Sequence, residues 1–321
     1  MYYFFMKQST LSAFHFREKE TRTWRFLQEM DTVIPWVRFL NIIKKWKKEE
    51  TKVGRNGFDP ETLLRMWLLQ QWYAMSDEET EDRIYDQYSF QMFLGVDYGD
   101  PIPDATTLCR FRNWLTKNKI QSKLLKEVNL FLEEKGLLLK KGTIMDATTI
   151  KASSSTKNEK KERDPDASST KKGNTWSFGY KVHTGVDAGG SKIIRQAKVT
   201  TAKVHDSSMF DELLSGDEKI VLGDKGYFNE TRKTQLREEG IFCGILDRAV
   251  RGKKLSSHQQ KRNKKLSSVR ASVEHPFHVI KNIFGWTKTR YKGIVKNTEH
   301  FIGLCALQNI FISRKKLKLM G

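Results

Sequence analysis

The hydrophobic periodicity of the chain changes near Gly142, and this change restricts the folds that are open to it. Before that point, apolar residues recur with helical spacing. After it, short segments rich in β-branched and aromatic residues alternate with helical ones. The predicted strands cover 143–148, 176–186, 193–200, 219–222 and 241–246, and the predicted helices cover 207–214, 229–239 and a final segment around Glu274.

Three strands, a helix, a strand, a helix, a strand and a final helix form the element order of the ribonuclease H-like fold. We therefore predict an α/β domain over residues 141–321, with a mixed five-stranded sheet and flanking helices. Two segments without an apolar pattern interrupt it. They are a polar loop at 151–173 and a basic insertion at 247–269 with eight Lys or Arg residues, both expected to be mobile in the unbound protein.

The residues before this domain predict an all-helical region. Residues 1–50 form a helical N-terminal arm with a basic run near its end, and residues 51–140 contain three clear helix starts. The starts are Asp59-Pro60, a capping-box sequence at Ser76-Asp-Glu-Glu79, and Asp104. Several short helices in succession, the last of them basic, predict a helix-turn-helix-like DNA-binding domain over 51–140.

The charge of the chain points to a polyanionic partner. The 58 Lys and Arg residues exceed the 38 Asp and Glu residues by 20, and the pI is about 9.7. An excess of this size favours double-stranded DNA as the partner over a membrane surface. In the predicted helical domain, Arg110 and Arg112 are the candidate DNA contacts, and the alternative is that both are ordinary solvated surface charges.

Three acidic residues are candidate ligands for divalent metal ions. Asp146 and Asp224 each end a short apolar run with strand character, and Glu274 lies in a segment with helical periodicity. Mg²⁺ and Mn²⁺ prefer oxygen ligands, and two such ions about 4 Å apart stabilise the attacking and leaving oxygens of a phosphodiester. The pattern therefore predicts a DNA-cutting site with two Mg²⁺ or Mn²⁺ ions.

The segment around Glu274 has the clearest helical spacing. Its apolar stripe consists of Val273, Phe277, Ile280 and Phe284, and its adjacent face carries Arg270, Glu274, His278 and Lys281. A carboxylate beside cations suits a place where metal and phosphate meet. Pro276 predicts a kink in an otherwise continuous helix. The alternative is a surface helix in which Arg270 and Glu274 form a weak ion pair.

Four further residues have two interpretations each. Lys225 either contacts phosphate or belongs to a turn that leaves the strand, and Asp206 either caps a helix or forms an acid-base pair with His205. Asp187 is better explained by a turn than as a fourth acidic ligand. Trp176 is assigned to the sheet core, with stacking on a flipped end base as the alternative.

Several segments resemble bacterial DDE transposases of the insertion-sequence four and five groups. The spacing of Arg270, Glu274 and Lys281 is similar to the Arg-Glu-Lys part of their signature, although Ser267 stands where the wider signature has Tyr. Motifs similar to those of family five are Asp146-Ala-Thr-Thr, Arg163-Asp-Pro-Asp-Ala, Thr170-Lys-Lys-Gly-Asn-Thr-Trp-Ser-Phe-Gly-Tyr-Lys-Val-His, Val204-His-Asp-Ser and Gly223-Asp-Lys-Gly-Tyr. Ser76–Tyr88 and Pro103–Arg112 resemble its N-terminal helical domain.

The resemblance implies a function and assigns roles to residues. Asp146, Asp224 and Glu274 become ligands of two divalent ions, with Arg270 and Lys281 near the DNA backbone. The implied enzyme binds the terminal inverted repeats of an insertion sequence, cleaves at the ends and joins the 3′-hydroxyl to target DNA, as at least a homodimer in the DNA complex. The alternatives are a nuclease of the same fold that does not join DNA, and a non-catalytic DNA-binding descendant.

The remaining sequence features concern location. Cys109, Cys243 and Cys305 lie in apolar contexts without zinc-ligand spacing, which indicates buried thiols in a reducing compartment. The run Met1-Tyr-Tyr-Phe-Phe-Met is too short for a signal sequence, and no stretch reaches the length that spans a bilayer. We expect a cytoplasmic, nucleoid-associated bacterial protein without a membrane partner.

Overall fold

The N-terminal part of the chain is helical in the computed structural model. The model describes residues 20–46, 57–97, 99–157, 159, 161–249, 252 and 254–320, so parts of the predicted arm at 1–19 and 47–50 lie outside the described residues. The described helices of this part are α1 (Arg22–Val33), α2 (Trp36–Ile43), α3 (Pro60–Trp72), α4 (Asp77–Asp86), α5 (Tyr88–Leu94), α6 (Ala105–Lys117) and α7 (Ile120–Glu134).

The predicted helix starts are confirmed by side-chain caps. The carboxylate of Asp59 accepts a hydrogen bond from the Glu61 amide at 2.9 Å, and that of Asp104 accepts one from the Thr107 amide at 2.6 Å. At Ser76 the hydroxyl accepts from the Glu79 amide at 3.0 Å. These bonds satisfy N–H groups that have no partner inside the helix, which fixes where α3, α4 and α6 begin.

The second half contains a mixed sheet. Its strands are β1 (Thr143–Lys151), β2 (Ser168–Lys172), β3 (Thr175–Asp187), β4 (Ile194–Thr201), β5 (Ile220–Gly223) and β6 (Phe242–Ile245). The order is β2-β3-β1-β5-β6, and β4 also pairs with β3. The pairs among the first four strands are antiparallel, whereas β1 pairs with β5 and β5 with β6 in parallel.

All five predicted strands are present, but the sheet has a sixth strand, β2, inside the segment predicted as a polar loop. The sequence of β2 is Ser-Ser-Thr-Lys-Lys, so it lacks the apolar alternation that identifies a half-buried strand. It is held by antiparallel pairing with the start of β3, and it lies at the edge of the sheet. A polar edge strand of this kind leaves no hydrophobic pattern in the sequence.

The helices of the second half also differ from the prediction in two places. They are α8 (Glu230–Glu238), α9 (Ser257–Arg270), α10 (Glu274–His278) and α11 (Ile294–Lys318). The predicted helix at 207–214 is instead two 3-10 turns, Asp206–Met209 and Asp211–Leu213. Most of the predicted basic insertion is helix α9, which has no buried residue and therefore no apolar stripe. A capping box between Ser256 and Gln259 starts this helix.

The long helix α11 joins the helical region to the sheet. In the described part of the chain, it is not apolar enough over its length to span a membrane, and neither is any other helix. The side chain of Asn309 accepts from the Ile194 amide and donates to the Ile194 carbonyl, both at 2.8 Å, and it also donates to Asn129 of α7. Buried residues of both halves form one large apolar cluster, and a second, smaller cluster includes Met145, Val221 and Tyr227.

The N-terminus of α11 is fixed by the Arg163-Asp-Pro-Asp-Ala segment. Asp164 is 5% exposed, and its carboxylate accepts hydrogen bonds from the Tyr180 hydroxyl at 2.7 Å and from the Gly293 amide at 3.1 Å. The carboxylate of Asp166 accepts from the Ile294 amide at 2.8 Å. Two acidic residues therefore cap one helix, and they hold the loop before β2 against it.

Two buried histidines predict that the fold loses stability in acid. Burial lowers the pKa of His300 to about 3 and that of His183 to about 4. The unfolded chain takes up these protons below about pH 6.5, so each histidine should lower the free energy of unfolding by about 2 kcal/mol at pH 5. Urea unfolding at pH 7.5 and 5.0 measures the loss, and His300→Phe should reduce it.

The matched control is His258→Phe, because His258 is exposed. This control should leave the difference between the two pH values unchanged. Equal acid sensitivity in the wild type and in His300→Phe would contradict the assignment to His300.

Candidate active site

The sheet register places Asp146 and Asp224 side by side. Ile144 of β1 pairs in parallel with Leu222 of β5. Asp146 lies two residues after Ile144, and Asp224 lies two residues after Leu222. Side chains two residues apart point to the same face, and neighbouring strands lie about 4.8 Å apart. Asp146 lies within β1 and Asp224 directly follows the last residue of β5, so the two carboxylates occupy equivalent positions on one face of the sheet.

The surroundings of Asp146 disfavour its charged form. Burial, together with the nearby carboxylates of Asp224 and Asp206, raises the pKa of Asp146 to about 6, and the Arg270 guanidinium opposes this shift. Arg270 Nη1 lies 3.6 Å from Asp146 Oδ1. Carboxylates held together in this way gain stability from a bound cation, because the cation offsets both the burial and their mutual repulsion.

Asp224 is fixed by the turn that follows it. Its Oδ1 atom accepts a hydrogen bond from the Gly226 amide at 2.7 Å, and a Cβ atom at residue 226 would lie only 2.9 Å from the same oxygen. A larger residue at position 226 would therefore displace this carboxylate oxygen from its present position. Asp224 and the exposed Lys225 line a cleft of about 430 Å³ together with His205, Gly226, Arg248 and Ala249.

Glu274 is the first residue of α10, and it is exposed. A 3-10 turn, Ala271–Val273, connects it to the end of α9, and a π-helical segment, Val279–Ile283, follows α10. The backbone is helical throughout, and the departures from α geometry flank Pro276. The proline lies in the first turn of α10, where its missing N–H is tolerated. The predicted apolar stripe is buried, comprising Val273, Phe277, Ile280 and Phe284.

The structure brings together two of the three predicted carboxylates. Among the described residues, no group of three or more His, Cys, Asp or Glu side chains is arranged to hold a metal ion. Asp224 is close enough to Asp146 that its charge raises the pKa of Asp146. Glu274 lies one helical turn after Arg270, which contacts Asp146. The donor chemistry of the aspartate pair fits Mg²⁺ or Mn²⁺. For Glu274 to act as a third ligand, its exposed side chain must change conformation and turn toward the two aspartates.

A further acidic residue near the site is Asp206. Its carboxylate lies 3.0 Å from the Lys181 ammonium, and its charge contributes to the raised pKa of Asp146. The residue that caps the 3-10 turn Asp206–Met209 is His205 and not Asp206, because His205 Nδ1 accepts a hydrogen bond from the Ser207 amide at 3.2 Å. The motif Val204-His-Asp-Ser is the only sequence signal for Asp206. Asp187 is the last residue of β3, directly before the expected turn, and its carboxylate accepts from the Ser191 hydroxyl on the other side of that turn.

Arg232 connects the turn that carries Asp206 to the turn that follows Asp224. Its guanidinium donates to the Ser207 hydroxyl at 2.9 Å, to the Ser207 carbonyl at 3.1 Å and to the Tyr227 carbonyl at 3.1 Å. It also stacks on the Phe210 ring at 4.0 Å. The Tyr227 hydroxyl is buried and has no hydrogen-bond partner among the described residues. A polar hydroxyl is thus enclosed beside the acidic residues.

The predicted DNA contacts have different surroundings. Lys281 donates to the Thr148 hydroxyl at 2.6 Å and to the Thr149 carbonyl at 3.2 Å, so its ammonium lies on β1 just beyond Asp146. Arg110 is exposed. The prediction for Arg112 needs correction, because its side chain is 13% exposed, pairs with Asp77 at 2.7 Å and stacks on Tyr291. These partners give Arg112 a packing role inside the helical region.

The exposed Trp176 corrects another prediction. It is 67% exposed and lies near the tip of the β2–β3 hairpin, with the Lys171 ammonium 5.9 Å from its ring. It therefore does not belong to the sheet core. Tyr180, four residues further along β3, is fully buried and takes that place.

The mixed sheet, with one acidic residue on β1, another directly after β5 and helices around it, is a ribonuclease H-like fold, as predicted. The family model described as Transposase DDE domain matches residues 138–310, and the one described as Transposase domain (DUF772) matches residues 14–114. The chain therefore belongs to the DDE transposases, which confirms the resemblance to an insertion-sequence enzyme of this class. No solved structure gives a significant match.

Proposed function

We propose that this DNA transposase binds the terminal inverted repeats of an insertion sequence, cleaves phosphodiesters at the ends and transfers the 3′-hydroxyl strand to target DNA. The observation that carries the proposal is the equivalent placement of Asp146 on β1 and of Asp224 directly after the neighbouring β5, with Arg270 beside Asp146. Pairing two ends in one complex calls for at least two copies of the chain. The reaction takes place in the bacterial cytoplasm, where the protein associates with the nucleoid.

The proposed catalytic group is Asp146, Asp224 and Glu274. The two aspartates hold divalent cations, Mg²⁺ or Mn²⁺, and Glu274 completes the ligand set when its exposed side chain turns toward them. When bound, two such ions supply charge stabilisation for the attacking and leaving oxygens. The protein would contribute the positions of these carboxylates, on β1, directly after β5 and at the start of α10.

Cationic side chains around this group are proposed to bind DNA phosphates. Arg270 lies beside Asp146, and the Lys281 ammonium contacts β1 just beyond Asp146. Lys225 lines the cleft next to Asp224. In the helical region, Arg110 remains the proposed contact. Each of them can neutralise phosphate oxygens of the bound DNA.

The test is cleavage of a supercoiled plasmid that carries the ends of the element encoding this chain. With Mg²⁺ or Mn²⁺ we expect nicks at the ends, followed by strand-transfer products, and with EDTA we expect neither. Nicks without joining, even from a pre-cleaved end, would favour the nuclease alternative. Binding of the ends without any nicks would favour the non-catalytic descendant.

Arg232 is expected to position the acidic residues, because it holds together the two turns next to them. Arg232→Ala should weaken Mn²⁺ binding by about 10-fold to 100-fold, as is typical when a residue that orients metal ligands is lost. Titration calorimetry of the free protein measures this directly. Arg237→Ala is the matched control, because Arg237 is exposed on the same helix. Unchanged Mn²⁺ affinity in Arg232→Ala would contradict this role.

A further inference from the structure

The basic helix α9 has an inner face that is anchored to the sheet. The Arg262 guanidinium donates to the carbonyls of Cys243 and Ile245 at 2.6 and 3.0 Å, and to the Asp247 carboxylate at 2.9 Å. The Asn263 side chain donates to the Asp247 carbonyl and accepts from its amide. Five hydrogen bonds from two adjacent residues thus fix the orientation of α9 about its own axis.

The opposite face of α9 carries three lysines and a serine. At 100° per residue, Lys261, Lys264, Lys265 and Ser268 fall within about 100° of each other, and they point away from Arg262 and Asn263. All four are exposed. Residues 248–273 contain no Asp or Glu, and no described carboxylate forms an ion pair with the three lysines. We call this surface the lysine face of α9.

The lysine face leads directly to the candidate active site. Helix α9 ends at Arg270, which lies beside Asp146, and Glu274 follows one turn later. The 13 residues from Lys261 to Glu274 span about 20 Å at 1.5 Å per residue. Each DNA strand carries one phosphate per about 3.4 Å of duplex axis, so a protein helix that runs along this axis passes about six nucleotides over this distance.

We propose that the lysine face binds the phosphate backbone of the duplex next to the cleaved bond, over about six nucleotides from the active site. The proposal rests on the proposed function and deepens it, because it assigns to α9 the DNA segment that leads into the site. Because α9 is anchored to the sheet, its lysines project from a fixed position on the protein. Their contact with the DNA backbone therefore sets the path of the duplex. Contacts of this kind position DNA without reading its sequence.

The test compares two variants that remove the same charge. One is the triple substitution Lys261→Gln, Lys264→Gln and Lys265→Gln. The other is Lys315→Gln, Lys316→Gln and Lys318→Gln, at exposed positions near the end of α11. Binding of a 30-base-pair duplex of arbitrary sequence is followed by fluorescence anisotropy over a range of salt concentrations. The slope of log K against log salt reports how many phosphates are neutralised.

In the α9 variant, the magnitude of this slope should fall by about 0.9 for each phosphate that is no longer neutralised, up to about 2.7. Binding at 0.1 M salt should weaken by at least about 10-fold. The α11 variant should keep the wild-type slope. Equal slopes for the α9 variant and the wild type would overturn the proposal. Failure of the proposed function is a separate result, since it would appear as wild-type protein that neither nicks nor joins the element ends.

Discussion

Asp146→Asn is expected to reduce end cleavage by about 1,000-fold or more. The substitution keeps the size of the side chain but removes a charged ligand oxygen, and metal ions supply several kcal/mol of charge stabilisation in such reactions. Nicking of the element-end plasmid with Mg²⁺ or Mn²⁺ measures the loss. Asp211→Asn is the matched control, because Asp211 is an exposed carboxylate in a neighbouring turn.

The same substitution should leave the protein folded. Burial and neighbouring carboxylates already raise the pKa of Asp146 to about 6, so its ionised form destabilises the metal-free native state above that pH. A neutral amide removes this cost, and the unfolding temperature at pH 7.5 should not fall. Duplex binding should also persist. Cleavage by Asp146→Asn at the wild-type rate would show that Asp146 is not part of the catalytic group.

Asp164→Ala is expected to lower the free energy of unfolding by about 3 kcal/mol or more. The substitution leaves the buried Tyr180 hydroxyl and the Gly293 amide without their acceptor. Buried donors that lose a charged partner cost about 1.5–3 kcal/mol each. Urea unfolding measures the change, and it should show one cooperative transition if the segment and α11 unfold together.

Asp166→Ala provides the comparison for this prediction. Asp166 is exposed and caps the same helix through the Ile294 amide, so its loss should cost only about 1 kcal/mol. Similar losses in the two variants would mean that the buried bonds of Asp164 contribute no more than an exposed cap.

The sequence predicts those elements that carry an apolar pattern. The five strands with β-branched residues and the capped helices α3, α4 and α6 are found this way. Strand β2 and helix α9 are missed because neither buries an apolar face. Strand β2 is held by backbone pairing with β3, and α9 is held by hydrogen bonds of Arg262 and Asn263. Partners of this kind are distant in sequence and leave no periodicity.

The candidate site is predictable in its strand positions but not in its surroundings. Asp146 and Asp224 each end an apolar run, which is a local signal, and their equivalent register follows from parallel pairing. Arg112 could not be separated from Arg110, because its partner Asp77 is 35 residues away. The place of Asp206 beside Asp146 depends on the packing of a 3-10 turn against the sheet, which local sequence does not encode.

The backbone groups at the two outer edges of the sheet determine whether copies of the chain can pair through their strands. Unpaired backbone groups on an outer strand can pair with another chain. On β6, the Arg262 guanidinium occupies the outward carbonyls of Cys243 and Ile245, and on β4, Asn309 occupies both backbone groups of Ile194. Strand-to-strand pairing with another chain is therefore blocked at these positions.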